Sequence, residues 1–511
     1  MAEPDTSQDA VFAFLSRPDV HGGVAVKRVD THAASVFLAG AHAFKVKRAV
    51  RFPFLDYSTL ERRRRACEAE LAVNRAFAPD IYRGVVPITR QNGGFALGGD
   101  GEPAEWAVEM LRFDDEATLD RLAERGGIDA ALADRLGQMV AAAHATVPVV
   151  DAPPWLDAVS GFLNQNEAAF AEMPDLFPAE RARGLDHAAR AAFGRIRPLL
   201  EERGARGLVR RGHGDLHLGN IALIDGRPML FDAIEFDPLI AAGDVLYDLA
   251  FLVMDLIERD LRAAANVVLN RYLADTHRED DLDGLAALPF FLSLRAAIRA
   301  KVTAARMARA DAAQRDRIAR TARTYFDLAC RLIAPAPPQL IAVGGLSGTG
   351  KSLLARALAA EILPDPGAVV LRSDVERKAS FGMRKTERLP AAAYAPDVTA
   401  GIYATLARRA ARVLAAAHSV VVDAVFARTA ERETVAAAAR QARVPFHGLF
   451  LTADVATRLS RVAKRAHDAS DADADLVRQQ ERYDLGTLDW TRIDASDSPD
   501  ETLTRAKASL S

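Results

Sequence analysis

The run Gly345-Leu346-Ser347-Gly348-Thr349-Gly350-Lys351-Ser352 fits G-x-x-x-x-G-K-[ST], with the apolar stretch LIAV before it and SLLARALAAEIL after it. In that setting Gly345, Gly348 and Gly350, with Ser347 and Thr349 between them, let backbone N–H groups turn around phosphate oxygens. The start of the following helix favours the same anion. Lys351 is placed to reach the β- and γ-phosphates of a nucleotide and Ser352 to hold Mg2+. Two aspartates close the next apolar runs, Asp374 in VVLRSD and Asp423 in SVVVD, with Arg377 and Lys378 just beyond the first. Open α/β sheets bind ligands at that end of their strands. An aspartate there accepts a proton from an acceptor hydroxyl, the role expected of Asp374, or orients magnesium and its waters, the role expected of Asp423. Helix capping is the plainer use of either.

A second stretch, Arg211 to Asn220, contains H-x-D-x-x-x-x-N as HGDLHLGN, and the apolar MLF delivers Asp232 twelve residues after Asn220. Phosphoryl transfer from ATP needs such a set: one carboxylate for the acceptor hydroxyl, then an asparagine and a second aspartate for the magnesium ions. Asp215, Asn220 and Asp232 fit in that order. His217 lies near His213, but no third ligand follows at a zinc spacing. Asp244 and Asp248, four residues apart in AAGDVLYDLAFL, are read as capping a helix or bracing the catalytic loop.

The nucleotide also needs a lysine on an upstream strand, paired with a glutamate on the first helix. Lys45 and Lys47 both fall in the strand-like AFKVKR and alternation puts them on one face. Lys45 is favoured because it follows an apolar residue, with Glu70 in CEAELAVNRAF as its partner and Glu68 as the alternative. Downstream, Arg458, Arg461, Lys464 and Arg465 recur at helical spacing in ATRLSRVAKR. They form either a solvated basic face or a lid that neutralises the transferring phosphoryl group.

The elements that must position these groups are legible from periodicity. Residues 23 to 55 and 81 to 113 read as short strands with turns, and helical periodicity dominates from about 117 onward. A strand-rich small lobe (about 20–113) thus precedes a helical lobe (about 114–334). The sharpest composition break is Ala334-Pro335-Ala336-Pro337-Pro338, read as a proline-rich linker at 335–338. Beyond it, QLIAVGGL, GAVVLRSD, SVVVDAVF and FHGLFLTAD alternate with alanine-rich helical stretches, the pattern of a mainly parallel sheet wrapped by helices over 339–511.

The chain has 511 residues, half of them apolar, and a formal net charge of -3. That balance fits a globular protein and gives no reason to expect a nucleic-acid partner. The two cysteines, Cys67 and Cys330, form no disulfide or metal spacing. The acidic N-terminus does not read as an export signal, and no run reaches the ~20 apolar residues that span a bilayer. A cytoplasmic location is expected.

Two resemblances add to this reading. GLSGTGKS, LRSDVERK, VVVDAVF with Arg432 after it, and RVAKR resemble the small P-loop kinases of the gluconate kinase, polynucleotide kinase and zeta-toxin group, over about residues 339 to 511. That resemblance implies Asp374 as the group that handles the acceptor hydroxyl and Arg461 and Arg465 as phosphate-contacting lid arginines. HGDLHLGN, LFDAIEFDP and GDVLYDLA resemble the aminoglycoside phosphotransferase superfamily, which includes choline and fructosamine kinases, over about 20 to 334. It implies an α+β bilobal kinase-like fold with an adenine pocket near Glu109 to Arg112 and a small-molecule hydroxyl acceptor. FKVKRAVRFPFLDYSTLERR and LSLRAAIRAKV look like those of a bacterial two-domain family joining the two halves, an aminoglycoside phosphotransferase-like domain and a P-loop NTPase domain. The expectation is an ATP- and Mg2+-dependent kinase with two nucleotide sites and unidentified acceptors. The alternative is a regulatory protein in which one half binds ATP without turnover and controls the other.

Overall fold

The computed structural model describes residues 6–52, 55–91, 93–384, 387–463 and 470–510. Contacts divide it into two compact units, residues 1–162 with 200–255, and residues 163–199 with 256–511. Composition alone puts a boundary at 335–338, where the chain has no regular structure. The contacts instead place the helices after residue 256 in the same unit as the glycine-rich loop.

In the first unit, helix α1 (Thr6–Leu15) lies against an antiparallel sheet of β1 (Val26–Asp30), β2 (Ala34–Ala39), β3 (His42–Lys47), β4 (Tyr82–Gln91), β5 (Gly94–Leu97) and β6 (Pro103–Leu111), in the spatial order β1-β2-β3-β6-β4-β5. The apolar residues of these strands, Phe37, Phe44, Val46, Ile88 and Ala107, close a core with Val11, Phe12 and Leu15 of α1. Helix α2 (Leu60–Arg75) starts where the Thr59 side chain accepts the Arg62 N–H, an N-cap of the ordinary kind. Its buried face carries Arg63, Cys67, Glu70 and Asn74, residues three or four apart. Later in the unit a hairpin of β7 (Ile221–Ile224) and β8 (Arg227–Leu230) pairs Ile221 with Leu230. Helix α3 (Val245–Glu258) comes next among the elements that matter for the site.

In the second unit, α4 (Arg262–Thr276), α5 (Glu279–Gly284), α6 (Leu288–Ala305) and α7 (Ala312–Leu332) precede a parallel sheet of β9 (Leu340–Gly345), β10 (Val369–Arg372), β11 (Val420–Asp423), β12 (Phe446–Thr452) and β13 (Thr491–Asp494). The strand order is β10-β11-β9-β12-β13, so β10 is an edge strand. Every residue of β9 and β11 is buried, as expected of parallel strands covered on both faces. Helices α8 (Lys351–Glu361), α9 (Ser373–Ser380), α10 (Pro396–Ala415), α11 (Val455–Ala463) and α12 (Ala474–Gln480) lie between these strands in the chain. Among the described residues no helix is long and apolar enough to cross a membrane.

Candidate functional sites: two arrangements of lysine, carboxylate and backbone amides

Alternation along β3 turns Lys45 and Lys47 to the same side of the sheet, where both meet Glu70 of α2. Lys45 Nζ lies 2.8 Å from Glu70 Oε1, and Lys47 Nζ lies 2.5 Å from Oε2. What separates the two lysines is the third carboxylate. Lys45 reaches Asp232 Oδ1 at 2.6 Å, whereas Lys47 reaches Glu235 Oε1 at 2.5 Å, with Tyr57 OH donating to the same Glu235 oxygen at 3.1 Å. Burial by itself pulls the ammonium pKa of Lys45 down, but the charges of Asp232 and Glu70 win and hold it well above the usual lysine range. Burial acts on Glu70 in the opposite sense, and the two ammonium groups overcome it to hold the carboxyl below its usual range.

The β7–β8 hairpin explains why Asn220 and Asp232 belong together. They flank its open end, where the Phe231 N–H donates to the Asn220 carbonyl at 3.0 Å. Asn220 Nδ2 also donates to Asp215, at 2.9 Å to both the backbone oxygen and Oδ2. Asp232 sits at φ 60, with its N–H given to Tyr82 Oη at 3.1 Å. Asn74, one turn beyond Glu70, accepts the Ala233 N–H at 2.7 Å and donates to the Ala233 carbonyl at 3.2 Å. Helix α2 thus holds both the lysine and the segment that bears Asp232. The carboxylate oxygens of Asp232 and the amide oxygen of Asn220 are the hard donors magnesium takes.

Asp248 braces the loop that leads to Asp215: its carboxylate accepts the N–H groups of His213 and Gly214, both at 2.9 Å, and meets His144 Nε2 at 3.1 Å. Asp244 is buried against Arg203, at 2.6 and 2.8 Å, and caps α3 through the Leu246 N–H. His213 Nε2 donates to the Phe231 carbonyl at 2.9 Å, and burial lowers its pKa, so it is a neutral tie between loop and hairpin. His217 Nδ1 accepts the Gly219 N–H at 3.0 Å, which leaves the proton on Nε2, 3.4 Å from Asp215 Oδ2. Glu109, expected near the adenine, lies toward the end of β6 with Oε1 2.8 Å from His42 Nδ1.

In the second unit the glycine-rich run forms the turn between β9 and α8. Gly348 has φ 87, and a Cβ there would lie 2.6 Å from the Arg458 carbonyl oxygen, so both the backbone and the space demand glycine. Thr349 Oγ1 donates to the Leu346 carbonyl at 2.8 Å, and Lys351 Nζ folds back on the same oxygen at 3.2 Å. The Ser347 N–H is taken by Gln480 Oε1 of α12 at 2.7 Å, and Arg458 Nε donates to the Ser347 carbonyl at 2.8 Å.

Pairing of β10 with β11 sets Arg372 opposite Asp423. The guanidinium joins the two expected magnesium groups, with Nε 3.1 Å from Asp423 Oδ2 and a terminal nitrogen 2.9 Å from Ser352 Oγ. Arg372 went unnoticed in the sequence, although its place two residues before Asp374 was there to read. Asp374 lies in the first turn of α9 and not on the strand, which ends at Arg372. Burial and then the nearby charge of Asp423 push its pKa up, against the pull of Arg372 and Lys351. Lys378 is buried and donates to Asp471 Oδ1 at 3.0 Å, while Tyr394 Oη and the Leu389 N–H donate to Oδ2 at 2.9 and 3.0 Å.

Of the expected lid cations, Lys464 and Arg465 lie outside the described residues. Arg461 donates to the carbonyls of Ala495 and Asp497 at 2.7 and 2.9 Å. Arg458 is buried beneath the glycine-rich loop, paired with Glu481. Arg432 is buried with carbonyl partners at Phe426, Ala427, Leu485 and Thr487.

The model of the phosphotransferase enzyme family matches residues 40–288, and the AAA domain model matches residues 340–484. The chain thus carries a phosphotransferase-family match followed by an AAA-domain match. Proteins of Mycobacterium tuberculosis and Mycobacterium bovis, both described as uncharacterized, are 29% identical to it over 474 residues, 89% of this chain and 90% of theirs. A gluconokinase from Sinorhizobium meliloti is similar over 34% of this chain and 91% of its own, at 21% identity and a TM-score of 0.26. A choline/ethanolamine kinase family protein from Mesorhizobium loti is similar over 64% of this chain and 99% of its own, at 14% identity and a TM-score of 0.38.

Proposed function

We propose that the chain is an ATP- and magnesium-dependent phosphotransferase with two nucleotide sites, one in residues 1–334 and one in 339–511, each serving a hydroxyl of a small-molecule acceptor. The observation that carries the reading is the Lys45–Glu70 pair at 2.8 Å with Asp232 2.6 Å from the same ammonium, beside the loop that holds Asp215. A lysine tied to a helix glutamate is a phosphate-binding device; Lys47 meets Glu70 as well, and what sets Lys45 apart is that its second carboxylate, Asp232, is half exposed, whereas Glu235 beside Lys47 is buried.

In the first half Asp215 takes the proton of the acceptor hydroxyl as its oxygen attacks the γ-phosphorus. The bond from that phosphorus to the β–γ bridging oxygen breaks, ADP leaves, and the proton stays on the carboxyl until solvent removes it. Lys45 exchanges Asp232 for phosphate oxygens when nucleotide enters. In the second half Asp374 has the same role as Asp215. Burial and Asp423 raise its pKa above that of an ordinary aspartate, which makes its carboxylate the stronger base, and Lys351 with the loop amides of Gly348 to Ser352 receives the phosphates. Magnesium, when bound, neutralises charge that builds on the phosphates; Asn220 and Asp232 would hold it in one half, Ser352 in the other, with Asp423 orienting its waters.

The test compares metabolite profiles under labelled ATP for Asp215→Asn, Lys351→Ala and the unaltered chain. Each variant should lose one set of labelled products, with a rate loss on the order of 10² to 10⁴ for Asp215→Asn, and keep the other. Identical profiles in the two variants would remove the two-site reading. No labelled product from the unaltered chain, with nucleotide still bound, would leave the regulatory alternative standing in its place.

A further inference from the structure

Strand β10 ends in the residues the second site depends on, yet it lies at the edge of its sheet. Along it, backbone groups alternate in direction. The Val369 N–H points inward to the Ser419 carbonyl at 2.9 Å, so the Ala368 carbonyl and the Val370 N–H face outward. An uncovered edge of this kind frays and pairs with other chains.

Here the outward groups are not bare. Asn270 of α4 accepts the Val370 N–H on Oδ1 at 2.7 Å and donates from Nδ2 to the Ala368 carbonyl at 3.1 Å. It reproduces with one amide side chain the two bonds a neighbouring strand would make. Asn266, one turn earlier and only 2% exposed, donates to the same carbonyl at 3.0 Å. Its approach depends on Gly367, at φ 122, where a Cβ would lie 2.6 Å from Asn266 Nδ2. Arg262, at the start of α4, donates to the Ile362 carbonyl at 3.1 Å and pairs with Asp365 at 2.9 Å.

The same helical segment grips the helix that β10 leads into. Glu376, two residues beyond Asp374, lies 3.4 Å from Arg409 Nε of α10, and Arg409 in turn meets Glu279 of α5 at 3.0 Å. Arg412, one turn along α10, holds Asp283 at 3.0 and 2.5 Å. All of these residues lie within the second compact unit. Yet 262 to 283 fall inside the stretch matched by the phosphotransferase family model and the strand inside the stretch matched by the AAA model.

We propose that α4 is the side-chain-built outer edge of the P-loop sheet, with Asn266 and Asn270 as positioning residues that hold Arg372 and Asp374 in place for phosphoryl transfer. The inference rests on the reading of the second half as a kinase site. It makes the helices of the phosphotransferase-like half a working part of the P-loop half, so a change in α4 alters chemistry at Asp374 without touching nucleotide.

The experiment uses the full chain carrying Asp215→Asn, so that the remaining release of inorganic phosphate from Mg-ATP, with water as acceptor, depends on Lys351. Asn270→Leu, which removes both bonds to β10, should speed amide exchange at Val370 and lower kcat about tenfold or more, while KM for ATP changes by less than about twofold. The split is expected because β9 and the glycine-rich loop bind ATP, whereas β10 carries Arg372 and leads into Asp374. Asn270→Asp keeps an acceptor for the Val370 N–H and should recover most of the exchange protection and part of kcat. A Leu variant with unchanged kcat, unchanged Val370 exchange, or a loss confined to KM would overturn the proposal. If the chain with asparagine at 270 shows no Lys351-dependent phosphate release, the kinase reading of this half falls and the inference with it, an outcome distinct from the others.

Discussion

Lys45 and Lys47 differ by two positions and share one carboxylate, yet their third partners assign them different work. Lys47 is locked between Glu70 and Glu235, with side-chain exposures of 4%, 0% and 7% respectively. Lys47→Met leaves two buried carboxylates facing each other and should cost about 3–5 kcal/mol in urea unfolding, the range for breaking a buried pair. Lys45→Met should cost less stability, because Asp232 is half exposed, and should abolish Asp215-dependent turnover. Asp374 gives a prediction with a sign. Its pKa is raised in the folded protein, so the fold opposes its ionisation. The stability it contributes is present below the ordinary aspartate pKa of about 3.9 and is lost as pH rises through the folded value. Asp374→Asn cannot ionise. It should therefore melt higher than the unaltered chain at pH 8, converge with it near pH 4, and lose about 10² to 10⁴ in Lys351-dependent turnover. Melting curves at the two pH values, with turnover at pH 8, check both halves of the statement.

The elements matter because they carry these groups at fixed phase. Strand alternation in β3, helical phase in α2 and the β7–β8 hairpin each convert a spacing in sequence into a distance; the first two could be read in advance, whereas the hairpin lies where helical periodicity was expected. The glycine-rich turn is the most demanding of them. Gly348→Ala combines a left-handed backbone with a Cβ 2.6 Å from the Arg458 carbonyl. It should lower ATP affinity of the second half at least about tenfold by titration in a Lys45→Met chain, because the loop amides can no longer turn inward. Lid cations are a different matter. Helical spacing put Arg458 and Arg461 on one face, but nothing local says that Arg458 lies under the loop and that Arg461 spans the Thr349 carbonyl of the loop and carbonyls past residue 494.

For the whole molecule, the linker at 335–338 has no regular structure, and the contacts that hold 256–334 to the P-loop sheet are made elsewhere, by Arg262, Asn266, Asn270, Glu279 and Asp283. A protease site placed in 335–338 should therefore be cleaved without separating the pieces, which should co-elute on size exclusion in physiological salt. Elution of a free fragment of residues 339–511 would show that these contacts do not hold the halves together. The proline-rich segment lies just before the stretch matched by the AAA model, while the packing boundary lies earlier in the chain, because apolar helices seek the nearest surface to bury regardless of domain ancestry.

What the amino-acid order supplied by itself was the candidate chemistry: HGDLHLGN with Asp232, AFKVKR with Glu70, and GLSGTGKS with Asp423 are local patterns in which residue type and spacing carry the proposal. The two fold classes came from strand and helix periodicity for the same reason. Only the tertiary structure decided which lysine reaches Asp232, that Arg372 joins Ser352 to Asp423, that Asn74 clamps the Asp232 segment, and that Asn266 and Asn270 finish the P-loop sheet. Those facts depend on partners 20 to 187 positions apart, and an isolated asparagine or arginine has no periodicity to betray it. Its role is set by which unpaired backbone group or buried charge the fold brings within hydrogen-bond reach.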